Sequence, residues 1–80
     1  MDHAEAFGRA LRRRRLEAGL TQEQTALAAD LERVFISWLE TGKRQPTFGT
    51  ILKLANAIGC TAGDLVSEAE KLAREGNLPD

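Results

Sequence analysis

Six polar side chains between Gln22 and Arg44 are the ones in this sequence with chemistry to offer. Ser37 and Thr41 are four apart, so on a helix they share one face with Val34 and Trp38, and Arg33 stands near the start of the same run. Arginine donates two parallel bonds to a planar acceptor pair such as guanine O6 and N7. Serine and threonine hydroxyls reach base edges or phosphates, while Val34 and Phe35 offer only apolar contact, to thymine methyl groups or sugars. Directly after this run, Gly42-Lys43-Arg44-Gln45-Pro46 carries two cations and no acid. The pattern is one of polyanion binding. One cysteine excludes an internal disulfide, and one histidine leaves no cluster for zinc. Neither a nucleophile–base pair nor a phosphate-cradling glycine loop is present, so the sequence supports no enzyme and implies no cofactor.

Those side chains need a scaffold, and Thr21 to Gly42 supplies it: TQEQTALAADLERVFISWLETG. Thr21 is a good N-cap, and Gln24 three residues on completes a capping box. Thr25-Ala26-Leu27-Ala28-Ala29 is rich in small residues, which let a second helix cross closely. Asp30 follows where the chain turns, and Asp tolerates left-handed backbone better than most residues. A second helix is predicted from Arg33 to Thr41, stopped by Gly42. Ile36 and Leu39, with Glu40, form its inner face; Val34, Ser37, Trp38 and Thr41 fall outside. Two helices so related, the second packing on one side and offering the other to a groove, make a helix-turn-helix.

The stretch resembles the helix-turn-helix of the lambda-repressor and Cro class, the XRE family. The resemblance is carried by Gly19, Leu20, Thr21, Gln22, Glu23 and Ala26, then Leu31, Ile36, Ser37, Leu39, Glu40, Gly42, Arg44, Pro46 and Thr47. With Phe7-Gly8 before and Leu54-Ala55-Asn56-Ala57-Ile58-Gly59 after, it covers Phe7 to Val66. Within the family, Leu31 to Ser37 is most similar to the controller proteins of restriction–modification systems and small regulators of mobile elements. The resemblance implies an all-α, five-helix domain binding double-stranded DNA. It implies an ion pair between Arg15 and Glu40 that fixes two helices. It implies Gln22 on a phosphate and the loop at Lys43 and Arg44 clamping phosphates, beside the reading helix with Arg33. On the residues alone, Gln22 is equally a polar first-turn residue and the loop a solvated turn.

Departures from the family pattern mark places to examine. Arg14 stands where an apolar residue is usual, and Glu32 where the N-cap is more often Ser, Thr or Asp. Trp38 points outward on the wheel, where three explanations compete: packing on the DNA backbone, contact with a protein partner, or folding back over Val34 or Phe35.

The rest of the chain reads as scaffold. Met1 to Ala6 is a lead-in with a solvated His3, and a first helix runs from Ala6 to Ala18 with Phe7, Leu11, Arg15 and Ala18 as its stripe. Arg9, Arg12 and Arg13 form a solvated flank. A fourth helix is capped by Thr47, spans Phe48 to Ile58 and buries Ile51, Leu52, Leu54, Ala55 and Ile58. Cys60 is a small buried hydrophobe. A fifth helix, 62–75, is capped by Thr61 with Asp64, and its stripe exceeds what the core needs. Leu65, Ala69, Leu72 and Ala73 are therefore read as a dimer surface, and 77–80 as a tail.

Eighty residues make one small domain, 1–80, which buries about 60% of its unfolded surface and gains from dimerisation. The net charge of −1 is unevenly spread: residues 1–60 carry nine Lys/Arg against seven Asp/Glu, residues 61–80 two against five. The acidic excess lies away from the cationic helix and loop. No apolar run spans a membrane and no leader is apparent, so a cytoplasmic protein is expected. The reading is a homodimeric, sequence-specific DNA-binding regulator, a repressor or controller on a near-palindromic operator, without metal. The alternative is a protein-interaction module of the same fold, such as an antitoxin or anti-activator, favoured by Val34, Phe35, Trp38 and the acidic net charge.

Overall fold

The computed structural model describes residues 1–76, and the predicted tail, 77–80, lies outside them. Five helices follow in order: α1 (His3–Glu17), α2 (Gln22–Ala29), α3 (Arg33–Glu40), α4 (Phe48–Ile58) and α5 (Ala62–Glu75). Among the described residues there is no strand. The all-α expectation holds, and the start of α1 is corrected. Asp2 accepts the Glu5 N–H at 2.7 Å and caps the helix at His3, so the first residues are helical rather than a lead-in.

Local chemistry explains the other boundaries. The Thr21–Gln24 and Thr61–Asp64 pairs both form reciprocal capping boxes, and Thr47 caps α4 through the Thr50 N–H. Accepting bonds from Thr61 holds the Asp64 carboxyl below its usual range. At each of the first four helix ends a left-handed residue closes the turn: Gly19, Asp30, Gly42 and Gly59. Asp30, at φ 56°, is the only non-glycine among them, and the next N–H, of Leu31, bonds back to the Ala26 carbonyl at 2.9 Å.

The core is built where the five helices meet. Leu11, Ile36, Leu39, Leu54 and Leu65 are fully buried, with α1 packed on α3 and α5, α2 on α3 and α4, and α4 on α5. Along α1 the stripe of Phe7, Leu11 and Arg15 is buried as expected, and Ala6, Gly8 and Ala10 widen it. Ala18 is exposed, because it follows the last helical residue and no neighbour covers it. On α4, Ile51, Leu54, Ala55 and Ile58 turn inward, but Leu52 stays 46% exposed. At 100° per residue it sits just beyond the edge of that stripe. Cys60 is half-buried against the core, and burial raises its thiol pKa, which keeps it neutral and inert.

Two expectations on α5 and α1 change with the packing. Leu65 is wholly inside the core and has no surface to give a partner, and Leu72 and Ala69 pack partly against the same core. Most of the long stripe is used to seat α5 on α1. The unusual Arg14 faces that contact: its Nε lies 3.5 Å from Glu68 Oε2 on α5, and Arg13 Nη1 lies 3.5 Å from Oε1. Glu68, only 15% exposed at its side chain, sets an opposite charge beside Arg14, although Arg14 Nε and Glu68 Oε2 are buried without a hydrogen bond among the described residues. Arg9 and Arg12 remain exposed, as predicted.

Candidate nucleic-acid interface

The site is assembled around one carboxylate. Glu40 closes α3 with its side chain 3% exposed, and Arg15 of α1, 9% exposed, meets it bidentately. Arg15 Nε donates to Oε2 at 2.6 Å and Nη2 to Oε1 at 2.9 Å, while Nη1 donates to the Leu20 carbonyl at 2.8 Å. The hydrogen bonds to Glu40 raise the Arg15 pKa further, so the guanidinium is permanently charged. Such a fork fixes orientation as well as distance, and it locks α3 onto α1.

The same carboxylate reaches α2. Gln22 Nε2 donates to Glu40 Oε1 at 3.2 Å, and Gln22 Oε1 accepts from Arg33 Nη1 at 3.4 Å. One chain of bonds thus runs from buried Arg15 through Glu40 and Gln22 to exposed Arg33. The Gln22–Arg33 link was not legible in the sequence. It depends on how the first residues of two helices approach after the Asp30 turn, for which eleven residues of spacing give no rule.

The remaining predicted residues are distributed as follows. Arg33, Val34, Trp38 and Thr41 are exposed on the outer side of α3, and Ser37 is half-exposed. Phe35 is half-buried and packed against the core, leaving little of its ring to offer a ligand. The Thr41 hydroxyl donates to the Ser37 carbonyl at 2.9 Å and, more weakly, to Trp38 at 3.4 Å, so its proton is engaged by its own helix. Glu32 precedes α3 in extended conformation with no side-chain capping bond, as its departure from the usual N-cap types suggests.

Past α3 the chain turns at Gly42, φ 76°, where the Gly42 N–H bonds to the Leu39 carbonyl at 3.2 Å and the Lys43 N–H to the Trp38 carbonyl at 2.9 Å. This closure sets Lys43 and Arg44 beside the outer side of α3. Arg44 Cζ lies 5.2 Å from the Trp38 ring centroid, a cation–π contact absent from all three explanations of Trp38. Arg33, Lys43 and Arg44 have no carboxylate partner within ion-pair distance among the described residues, so their charges are open to a ligand. No group of residues here suits a metal ion, and no helix is long and apolar enough to cross a membrane, both among the described residues.

The chain is similar to known proteins in sequence and fold. Residues 6–69 match the family model described as a helix-turn-helix domain. The chain is 35% identical over 71 residues to the HTH-type transcriptional regulator y4dJ of Sinorhizobium fredii, covering 89% of this chain and 92% of that one. It is 36% identical over 66 residues to the control protein C.MunI of a Mycoplasma species, covering 81% and 89%. The crystal structure of the restriction-modification controller protein C.AhdI from Aeromonas hydrophila superposes with a TM-score of 0.76 at 35% identity, over 78% of this chain and 94% of that one.

Proposed function

The chain belongs to the XRE-type helix-turn-helix family of DNA-binding transcription regulators, and from that premise we propose that it acts as a dimeric repressor or controller on a near-palindromic operator. The observation that carries this reading is the set of three cations with no carboxylate partner among the described residues, Arg33, Lys43 and Arg44, on a helix and loop braced by a buried ion pair. Arg33 lies at the start of α3, the end that enters a major groove in this motif, and is the base reader. Val34 and Ser37 add contacts along the same side. Gln22, Lys43 and Arg44 grip the flanking phosphates. Regulators of this family are not enzymes, and this chain is read as a binder without catalysis. Its compartment is the one that holds the operator.

Selection of bound duplexes from a random library near physiological salt tests the reading. A two-fold symmetric motif with half-sites about 34 Å apart is expected; recovery of nothing above background would transfer the reading to a protein-interaction module. On the selected operator, Arg33→Ala is expected to cost about 1–3 kcal/mol and to relax preference at one base position. Lys43→Ala should weaken all sequences alike and lower the salt slope by about 1. Equal losses on every sequence for Arg33→Ala would refute base reading.

Support for the dimer comes from an apolar groove of 380 Å³ that runs along α5, lined by Phe7, Pro46, Ile51, Val66, Ala69 and Ala73. With Leu65 in the core and Leu72 against it, this edge is the apolar surface α5 still offers, and Val66 on it is 46% exposed. A small domain that covers such an edge with a second copy gains core it lacks alone. Val66→Asp is expected to sediment as a monomer while keeping its helical circular dichroism. A dimer that survives this substitution rules the edge out.

A further inference from the structure

Trp38 and Arg44 are six residues apart and on opposite sides of a helix end, yet the guanidinium carbon stands 5.2 Å from the indole centroid. The backbone between them is fixed by Gly42 in the left-handed region and by the Lys43 N–H on the Trp38 carbonyl itself. Ring and cation are thus both held on short leads from one closed turn. No carboxylate among the described residues competes for Arg44, and no hydrogen bond occupies its donors.

A guanidinium held over a ring differs from a salt-bridged one in what it leaves available. The ring accepts no conventional hydrogen bond from it in place of a phosphate, and its N–H donors stay open to other acceptors. The charge is not neutralised, and the long stem has already lost much of its freedom before any ligand arrives. An ordering cost that binding would otherwise bear is thereby reduced. A lysine at 44 could also be drawn to the indole but would lack the planar group and its five N–H donors.

We propose that Trp38 is a positioning residue that holds Arg44 over its ring, charged and pre-oriented for a DNA phosphate. The proposal rests on the reading of Arg44 as a phosphate contact, and the experiment separates the two. It explains why a tryptophan occupies an outward position on α3 with 37% of its surface still exposed. It also differs from direct packing of the indole on DNA, because all of its effect passes through Arg44.

The test is a double-substitution cycle on the full chain with its selected operator, titrated at several salt concentrations. Arg44→Ala should weaken binding to all sequences and lower the salt slope by about 1. Trp38→Leu should weaken binding about two- to fivefold without changing base preference, the range expected for losing one exposed cation–π contact. Trp38→Phe should recover part of that loss, since a phenyl face also attracts the cation. Added to Arg44→Ala, Trp38→Leu should cost nothing further. The chain has one tryptophan and no tyrosine, so its emission reports this ring alone, and Arg44→Ala should alter that emission in the free protein. If Arg44→Ala binds normally with an unchanged salt slope, the phosphate reading of Arg44 fails and the proposal with it. If Arg44→Ala weakens binding while Trp38→Leu has no effect, or has its full effect in the Arg44→Ala background, only the positioning role is overturned. The Phe variant decides the matter if the Leu variant is poorly folded.

Discussion

Glu40→Ala is expected to destabilise the domain by about 3–5 kcal/mol, the usual cost of leaving one member of a buried ion pair without the other. An 80-residue domain has a total stability of roughly 4–12 kcal/mol, so the variant should be largely or partly unfolded at room temperature. The reason is specific to the geometry. Two of the three Arg15 nitrogens point at Glu40, and only Nη1, on the Leu20 carbonyl, would keep its partner. Arg15 cannot escape by losing its proton, because its pKa is far above any working pH and raised further here. Glu40→Gln, which keeps one acceptor oxygen, should lose less. Replacing both partners together, as Arg15→Met with Glu40→Leu, should lose less than Glu40→Ala alone, because no buried charge is stranded. Urea unfolding at low and high salt measures all three. A loss below about 1 kcal/mol for Glu40→Ala, or one that vanishes in high salt, would mean that the pair behaves as a surface pair. Because Gln22 also bonds to Glu40, any folded variant should bind its operator more weakly.

How much of this was legible from the sequence divides by range. Thr21, Thr47 and Thr61 as caps, Asp30 in left-handed backbone and Gly42 as the end of α3 all rest on bonds within six residues, where residue type nearly decides the outcome. The start of α1 belongs to the same class: Asp2 followed by Glu5 in its first turn carries the signal, outside the family pattern that begins at Phe7. The inner faces of α1, α3 and α4 were legible through periodicity, which misjudged residues at an edge or past an end, among them Phe35, Leu52 and Ala18. Apart from the Arg15–Glu40 pair, which the family resemblance implied, contacts between helices were not legible. Nothing local marks Glu68 as the partner of Arg14, or Gln22 as the partner of Arg33, because helix crossing decides which polar ends meet. Leu65 fails for the opposite reason. A stripe shows that a face is apolar, not whether a neighbouring helix or another molecule covers it. The Trp38–Arg44 contact fell between the two ranges, since it needs the return of the chain at Gly42 and helical periodicity does not continue through that turn.

Gly8→Ala should be the second severe substitution, although alanine is the better helix former by about 1 kcal/mol. A Cβ built on Gly8 would stand 2.3 Å from the Leu39 carbonyl oxygen and 2.7 Å from that of Glu40. Both neighbours are backbone, so no rotamer change relieves the clash and α3 must move off α1. Overpacking of this kind costs about 1–3 kcal/mol and occasionally more, and the absence of any soft neighbour argues for a net loss of about 3 kcal/mol. Gly63→Ala is the matched control. Its new Cβ would meet only the Thr61 hydroxyl at 3.6 Å, an ordinary contact, so that variant should be unchanged or slightly more stable. The displaced backbone belongs to Leu39 and Glu40, so the methyl group acts on the ion pair as well as on the packing. Lifting α3 by even a few tenths of an ångström lengthens the bonds from Arg15 and loosens Gln22 and Arg33 behind them. Gly8→Ala should therefore lose more operator affinity than its stability alone requires when both are measured well below its melting temperature. If Gly8→Ala is as stable as the parent and binds as tightly, the close crossing of α1 and α3 is not what holds the reading helix in place.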